Sequence, residues 1–544
     1  MSQISIPQRR ELPASKLWAA LAVALCVVAI GFPSLYYPFG RDQGIHAYIA
    51  KLAGDGYVVY RDVFNVKPPL TTVVHWLAQA LFGESMRAIR ILDLLIMTAT
   101  ALMLQSLVAR SLRSAWLGAA AGVGFAAFYY SNIYWFTAQT DGWCSFFMTA
   151  SVLLYVRSLD TRSARARIWI LCAAGLMVGL SFWLKYTSAT VLLVFPSVHR
   201  ARGLAWRRIL GDGAAVSAGF LSCIAIGVAA LAAMGALPAF LDIQDFMRSY
   251  VGHRAPWWEY PLSPLLVLVG AKFATALAML GFYATYKALS RAEHRADAIG
   301  LLVWLAAAWG SALLQGKVFL YHLLPLYPPL AIAAAAGLQA LAAKLRQLRW
   351  RGVEAPVTVA ACALMVALSN VPNQYRALAP VLSGGERAMR GYWDSDLFGH
   401  SDFRTSDNLA LVDYLKQRTL PCDSLFVWGY EPAVYFLSQR RLVSRFLYNF
   451  PMFTAYYRQS YRDEFMAVIE RDTPAVFVVE HEDRTPWVSG HDRDSAEVLE
   501  QFGALKSFVG EHYRLRDRVA RFDVYYRRDI DPAATRRCPA PAQR

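Results

Sequence analysis

Long apolar runs recur through the first 370 residues of this 544-residue chain and constrain its fold more than any other feature. A helix needs about 20 consecutive apolar residues to cross a bilayer, and somewhat fewer at the short end of the range. Hydrophobic residues make up 56% of the chain and charged residues only 17%, which is typical of a membrane protein. The sequence therefore predicts a polytopic α-helical membrane protein.

Run length predicts about eleven transmembrane helices, of which the sixth is the shortest. The first run follows a basic leader without a convincing small-residue cleavage site, so we expect it to be a retained span. The predicted spans are 17–35, 87–109, 115–130, 142–157, 168–184, 187–198, 213–235, 262–286, 298–315, 321–342 and 355–370.

The connectors between the spans alternate in charge. One set holds 20 lysines and arginines against 5 acidic residues, and it comprises 1–16, 110–114, 157–167, 199–208, 287–297 and 343–354. The opposite set comprises 36–86, 131–141, 185–186, 236–261 and 316–320. Because basic connectors stay in the cytoplasm, we expect a multi-pass plasma (inner) membrane protein with a cytoplasmic N-terminus and a periplasmic C-terminal region.

The net charge of +16 resembles that of a nucleic-acid-binding protein, but its location argues against such a partner. Residues 371–544 hold 24 basic and 24 acidic residues, so the whole excess lies in the membrane half. That excess fits the positive-inside pattern, and we expect no nucleic-acid partner.

Residues 371–544 form the second predicted domain, a soluble, outward-facing mixed α/β domain, after a transmembrane domain at 1–370. Alternating or β-rich runs predict strands at 424–429, 475–480 and 518–528, and helical periodicity predicts helices at 462–472 and 494–505. Five of the seven cysteines lie in or beside apolar runs. In an oxidising compartment Cys422 and Cys538 could form a disulfide, but both could equally be free.

The stretch "YYPFGRDQGIHAYIAKLAGDGYVVYRDVFNVKPPL" (36–70) places many polar residues directly after the first span. Residues 44–54 can form a short helix along the membrane interface, and the two prolines at 68–69 can start another. The carboxylate of Asp42 and the ammonium of Lys67 could face each other across a polar cavity. An ordinary charged loop is the alternative.

Other ionisable residues lie in the outer connectors. Asp141 could mark a site at membrane depth or simply cap the helix that follows it. Lys185 could line a cavity or extend to the interface. The candidates for cavity lining are Lys185, His253, Arg254, Trp257 and His322, although Trp257 could equally be an interfacial anchor.

These residue types suit two chemical tasks. Lysine and arginine bind phosphate, as a point charge and a fork respectively, and a carboxylate can act as general base on a hydroxyl. A lipid-linked phosphate with its head group at the outer leaflet would use both.

In this order along the chain, the motifs resemble those of the GT-C class of integral-membrane glycosyltransferases. The nearest likeness is to bacterial relatives of protein O-mannosyltransferase and of the lipid A aminoarabinose transferase. The resemblance covers most of 36–340, and its carriers are "RDQGIHAYIAKLAGDGYVVYRDVFNVKPPL", "FGESMRAIRIL", "TDGWCSFFMTASVLLY", "GLMVGLSFWLKYTS", "APWWEYPL" and "QGKVFLYHLLPLYPPLAI". It implies inverting transfer of a sugar from a polyprenyl-phosphate donor to a glycolipid, polysaccharide or protein acceptor.

The resemblance also implies residue roles. Asp42 matches the family's first-loop catalytic aspartate, and Asp141 matches a second acidic position. Lys67 matches a residue that contacts the donor phosphate, and Lys317 and Arg61 are further phosphate candidates. This chain has Gln43 where many members have glutamate, so any assistance from that carboxylate is missing.

No tight cluster with metal-ligand spacing occurs in the sequence, so we predict no metal site and no cofactor, although some GT-C enzymes need a divalent cation. The alternative function is a membrane transporter or flippase of a lipid-linked or anionic substrate. A transporter would place charges near the bilayer midplane in two related halves, whereas these charges lie at the outer ends of the spans and no repeat is evident.

Overall fold

Helices dominate the part of the protein that the computed structural model describes, which is residues 13–132, 134–253, 271–317, 319–347, 353–400, 402–530 and 538. The helices of the N-terminal part are α1 (Pro13–Gly31), α2 (Arg41–Gly54), α3 (Pro69–Phe82), α4 (Met86–Ser111), α5 (Ala115–Tyr130), α6 (Thr140–Leu159), α7 (Ala164–Leu184), α8 (Val194–Ala201), α9 (Trp206–Ala233), α10 (Leu237–Gly252), α11 (Lys272–Leu289), α12 (Ala292–Leu313), α13 (Tyr327–Gln347), α14 (Glu354–Ala367) and α15 (Val371–Trp393). Short 3-10 segments lie at Phe32–Tyr36, Tyr134–Phe136, Tyr186–Leu193 and Leu320–Leu326.

Six of the described helical segments are long and apolar enough to cross a membrane, and α14 with α15, bent by 59°, makes a seventh if the pair is one span. The six are Leu17–Tyr36, Met86–Ser111, Ala164–Leu184, Trp206–Ala233, Ala292–Leu313 and Leu320–Gln347. The chain is therefore a polytopic α-helical membrane protein, as predicted. The count of eleven spans stays a prediction, and the beginning of the eighth lies outside the described residues.

The predicted sixth span is not a continuous α-helix. The chain runs from Lys185 through the 3-10 segment Tyr186–Leu193 before α8 begins. Two hydroxyls bond to nearby backbone there: Ser188 donates to the Lys185 carbonyl at 2.8 Å, and Thr190 donates to the Thr187 carbonyl at 3.0 Å. The predicted sixth span therefore contains a 3-10 segment followed by an α-helix, and its place among the spans stays a prediction.

Contacts between connectors follow the two sets that the sequence predicts. Within the basic set, Arg110 pairs with Asp160 at 2.8 Å and Arg202 pairs with Asp297 at 3.6 Å. The basic connectors thus meet one another at one end of the helices, and residues of the opposite set meet elsewhere, around a cavity described below.

The C-terminal part contains a five-stranded mixed sheet in the order β4-β3-β5-β7-β6. Its strands are β3 (Ser424–Trp428), β4 (Arg441–Leu442), β5 (Val476–Glu480), β6 (Tyr513–Val519) and β7 (Phe522–Arg527), and a two-stranded ladder pairs β1 (Gly399–His400) with β2 (Phe403–Arg404). The helices here are α16 (Thr405–Arg418), α17 (Ala433–Ser438), α18 (Phe450–Phe453), α19 (Gln459–Arg471), α20 (Pro486–Ser489), α21 (Ser495–Gln501) and α22 (Gly503–His512).

The sheet is parallel on one side and antiparallel on the other. Strand β3 pairs parallel with β4 and β5, whereas β7 pairs antiparallel with β5 and β6. Every residue of β5 is buried, as expected for a central strand covered on both faces. The mixed α/β character of this part agrees with the sequence, and the division at residue 370 stays a prediction.

Two predicted elements of this part differ in detail. The strand predicted over 518–528 is confirmed over β7 but is not continuous, because the chain reverses between β6 and β7, where Ala520 has φ 50°. The helix predicted over 494–505 is confirmed in type but is divided, because Phe502 leaves the helical region at φ −91° and ψ 76° and separates α21 from α22. Phe502 is buried near Trp428, so core packing sets its conformation.

The C-terminal part packs directly on α2. A Cβ at Gly44 would lie 2.6 Å from the Cβ of Ala433, so only glycine allows α17 to come this close. Beside this contact, the rings of Tyr48 and Tyr435 stack with centroids 5.2 Å apart. The Phe64 amide donates to the Arg445 carbonyl at 2.8 Å. The first outer loop is therefore held between the membrane helices and the sheet domain.

A disulfide joins Cys422 and Cys538, with their Cα atoms 5.7 Å apart. It closes a loop of sequence separation 116, and such a crosslink restricts the unfolded chain. The other five cysteines are free.

Candidate active site

A cavity of about 1310 Å³ lies where connectors of the opposite, less basic set meet the C-terminal part. Its wall comes from α2, the segment 66–68, the chain after α7, helix α10 and residues 314, 315, 317 and 319–322. Residues of the C-terminal part complete it, among them Asp402, Tyr430, Tyr448, Phe450 and Trp487. Sequence reasoning placed the site in the outer connectors, and it missed this second contribution entirely.

Asp42 is the second residue of α2 and lines the cavity. Its side chain is partly exposed, and no described residue forms a hydrogen bond or ion pair with its carboxylate. A carboxylate in the first turn of a helix is favoured by the helix dipole. Asp42 is thus held in place by its helix and left open to a ligand.

Gln43, beside it, points away from the cavity and is fully buried. Its side-chain oxygen accepts from the Gly40 amide at 3.0 Å, and its side-chain nitrogen donates to the Thr137 carbonyl at 2.9 Å. These two bonds fix the start of α2 against the second outer connector. The residue that replaces the glutamate of many GT-C members, Gln43, therefore makes structural contacts and does not face the cavity.

Lys67 lines the cavity at the end of the first outer loop. Its backbone is fixed on both sides: the amide donates to Asn65 Oδ1 at 3.0 Å, and the carbonyl accepts from the Tyr60 hydroxyl at 2.8 Å. Pro68 is the N-cap of α3 and Pro69 is its first residue, so the two prolines start a helix as predicted. Among the described residues, none accepts a hydrogen bond from the Lys67 ammonium, so this cation is available to an anion.

Asp141, which matches the second acidic position, does not line the cavity itself. It is 1% exposed and lies behind the cavity wall. Its carboxylate accepts from Lys185 Nζ at 2.7 Å and from Gln315 Nε2 at 3.2 Å. Lys185 and Gln315 both line the cavity, so Asp141 orients two lining side chains from behind.

Lys317 bridges two parts of the protein at the cavity wall. Its ammonium donates to the His253 carbonyl and, at 3.0 Å, to the Trp487 carbonyl. The same ammonium lies 4.6 Å from the ring centroid of Tyr250. Burial lowers the pKa of Lys317. The next predicted residue, His322, is buried and also lines the cavity.

The remaining candidates lie elsewhere. Arg61 does not line the cavity: its side chain is 52% exposed and pairs with Asp62 at 2.8 Å. The Arg61 guanidinium already has the Asp62 carboxylate as its partner at the surface, so we remove Arg61 from the phosphate candidates. His253 is exposed at the edge of the cavity. Arg254 and Trp257 lie outside the described residues.

The buried guanidinium of Arg41 was missed by the sequence reading. It bonds to Asp402 Oδ2 at 2.7 Å and to Glu431 Oε1 at 2.9 Å. Its charge also lies 5.0 Å from the ring centroid of Tyr430. Burial raises the pKa of the Glu431 carboxyl, against the opposing influence of Arg41. Because its partners lie about 360 to 390 positions away, no local pattern could have revealed this cluster.

Within the described ranges, no group of three or more histidine, cysteine, aspartate or glutamate side chains could hold a metal ion.

Comparison with known proteins gives three results. A family model for dolichyl-phosphate-mannose-protein mannosyltransferase matches residues 66–199, about a quarter of the chain. The matched segment contains Lys67, Asp141 and Lys185.

Two curated relatives come from Pseudomonas aeruginosa, strains UCBPP-PA14 and LESB58, and both are named undecaprenyl phosphate-alpha-4-amino-4-deoxy-L-arabinose arabinosyl transferase. The first is 31% identical over 278 residues, covering 47% of this chain and 46% of the relative. The second is 30% identical over 276 residues, with the same coverage. The chain thus spans about half the length of the curated relatives it matches.

The crystal structure of ArnT from Cupriavidus metallidurans bound to undecaprenyl phosphate matches over nearly the whole length. The match covers 94% of this chain and 98% of that one, with a TM-score of 0.57. This chain has the GT-C fold. At 16% sequence identity, the likeness shows the GT-C fold alone and assigns no residue.

Proposed function

We propose that this protein is a glycosyltransferase that moves a sugar from a polyprenyl-phosphate donor to a hydroxyl or similar group of an acceptor. One observation carries the proposal: a carboxylate and an ammonium group without partners among the described residues, Asp42 and Lys67, line one cavity. A cavity wall with a few polar groups that converge on one space is the arrangement expected of a ligand site.

The comparisons support the donor class. The two relatives from Pseudomonas aeruginosa carry undecaprenyl phosphate in their names, and the matched crystal structure contains it. The family model is described by a dolichyl-phosphate-linked mannose. All of these are sugars or phosphates carried on a polyprenyl chain, which suits a cavity at the end of membrane helices.

The proposed reaction is a single displacement at the anomeric carbon. An acceptor oxygen attacks that carbon from the side opposite the phosphate, and Asp42 takes the hydroxyl proton. The bond between the anomeric carbon and the phosphate oxygen breaks, and polyprenyl phosphate leaves with the electron pair. Attack from the opposite side inverts the anomeric configuration.

Lys67 stabilises the charge that develops on the leaving phosphate, because its ammonium has no competing partner among the described residues. Lys317 has a smaller share. An ammonium has three N–H donors, and two of those of Lys317 already bond to backbone carbonyls, which leaves one for a phosphate oxygen. Asp141 acts through Lys185 and Gln315 and does not itself touch substrate.

We further propose that the cavity faces the periplasm from the inner membrane. The support is the positive-inside pattern of the connectors together with the contacts within the basic set. Single cysteines are introduced at exposed sites in 157–167 and in 484–494, and intact cells are treated with a membrane-impermeant maleimide. The cysteine in 484–494 should be labelled, and the one in 157–167 should not. Labelling of the cysteine in 157–167 alone would show the opposite orientation.

The activity is tested with purified full-length protein in nanodiscs. Two donors are supplied, undecaprenyl phosphate esterified with 4-amino-4-deoxy-L-arabinose or with mannose, and mass spectrometry measures free undecaprenyl phosphate with and without a cell-envelope glycolipid fraction. We expect release from one donor, and no release from an Asp42→Asn variant. Movement of intact donor across vesicle membranes without cleavage would instead support the transporter or flippase.

A further inference from the structure

His46 lines the same cavity and has no role in the mechanism above. It is 4% exposed, yet its Nδ1 atom is buried without a hydrogen-bond partner. Its other ring nitrogen also makes no hydrogen bond to any residue in the described ranges. Buried polar atoms are nearly always satisfied, so an imidazole without hydrogen-bond partners at a cavity wall points to a ligand.

The position of His46 limits which part of the donor it can meet. It follows Asp42 by four residues on α2, so both lie on one face of the helix, about 6 Å apart along its axis. Lys67 lines the same cavity, and its positive charge acts on the imidazole. His46 therefore lies one helical turn from the proposed base, in the same cavity as the proposed phosphate-binding cation.

The charge state of His46 fits a sugar better than a phosphate. Burial and the neighbouring Lys67 ammonium lower the pKa of His46 well below its usual value, so its imidazole is neutral. Behind it lies the ring of His75, with centroids 5.5 Å apart, and His75 in turn packs on Trp143 at 5.5 Å. A neutral imidazole offers one donor and one acceptor, which match a hydroxyl or amino group.

We propose that His46 hydrogen-bonds a hydroxyl or amino group of the sugar being transferred, and that it determines which sugar the site accepts. This inference rests on the proposed function and extends it to sugar recognition. In this proposal Lys67 binds the phosphate end of the donor, Asp42 faces the incoming acceptor, and His46 forms a hydrogen bond to the sugar ring.

The test compares two ligands that differ only in the sugar: undecaprenyl phosphate, and the glycosylated donor that the wild-type protein consumes. Binding of each to the full-length protein in nanodiscs is measured for wild type, His46→Leu and His46→Gln. We expect His46→Leu to weaken binding of the glycosylated donor about tenfold and to leave binding of undecaprenyl phosphate unchanged. Glutamine retains a donor and an acceptor, so His46→Gln should recover part of the loss.

His75→Leu is the matched control, because His75 is also buried but does not line the cavity. His75→Leu should change the binding of both ligands equally or of neither. Equal weakening of both ligands by His46→Leu, or no weakening of either, overturns the role of His46. If the wild-type protein consumes neither donor, the proposed function fails first, which separates the two failures.

Discussion

Two of the carboxylates at the cavity, Asp141 and Asp42, are treated in opposite ways by the protein. Asp141, at the α6 side, is buried and bonded to Lys185 and Gln315. Asp42, at the α2 side, is partly exposed and has no partner among the described residues. The first has its charge balanced within the protein, and the second is balanced by nothing that the structure shows.

This difference separates a structural pair from a reactive group. A buried ion pair is satisfied before substrate arrives, so it can hold its neighbours in place but has little capacity left for chemistry. An unpaired carboxylate on a rigid helix is positioned in advance and can accept a proton. The following changes are chosen to break or sharpen this contrast, from the largest expected effect to the smallest.

Asp42→Asn should give the largest loss. Asparagine keeps the shape but cannot accept the proton, so sugar transfer should fall about 10²- to 10⁴-fold. Because the carboxylate has no partner among the described residues, the thermal unfolding temperature in detergent should stay the same. A large drop in unfolding temperature would show that Asp42 is a structural residue after all.

Lys67→Met should rank next. It removes the free ammonium while keeping the length of the side chain, and transfer should fall about 10²- to 10³-fold, as for the loss of a group that stabilises developing charge. Binding of undecaprenyl phosphate should weaken as well, as measured by titration in nanodiscs. Unchanged phosphate binding would move the phosphate site to Lys317.

Asp141→Asn should act mainly on stability. The change removes the counter-charge of the Lys185 ammonium, whose side chain is 13% exposed at the cavity, so we expect a loss of stability below the roughly 3–5 kcal/mol that breaking a fully buried pair costs. The double variant Asp141→Asn with Lys185→Met removes both charges and should unfold at a higher temperature than the single variant. If the double variant is no more stable, the pair does not act as a unit.

Arg41→Met tests the contact between the C-terminal part and α2. It leaves Asp402 and Glu431 close together without the cation between them, so we expect a loss of about 3–5 kcal/mol in stability. Transfer should fall as well, because Arg41 begins the helix that holds Asp42. Limited proteolysis would detect loosening of the C-terminal part, and an unchanged digestion pattern would contradict this role.

Arg61→Gln should have the smallest effect. The Arg61 side chain is half exposed and paired with its own neighbour, and surface pairs contribute about 0–1 kcal/mol. Transfer and stability should both stay close to those of the wild type. A loss comparable to that of Lys67→Met would return Arg61 to the phosphate site.

Much of the site could be predicted from the sequence because its signals are local. Asp42 and Lys67 could be singled out because both lie in one short polar loop, where charged residues and a Lys-Pro-Pro sequence directly follow an apolar run. By contrast, nothing near Asp141 shows that Lys185 lies 2.7 Å away on the next helix. The strand predicted over 518–528 looks continuous in the sequence, but a tight turn at Ala520 divides it between β6 and β7.

The sequence by itself determined the membrane fold, the alternation of the connectors, the mixed C-terminal part and the candidate pair Asp42 and Lys67. Each follows from periodicity, run length or charge within a short window. Only the tertiary structure decided that the charge of Asp141 is balanced by Lys185, that Gln43 points away from the cavity and that the imidazole of His46 lacks a hydrogen-bond partner. Those outcomes depend on which side chains meet across hundreds of positions, and packing alone settles that.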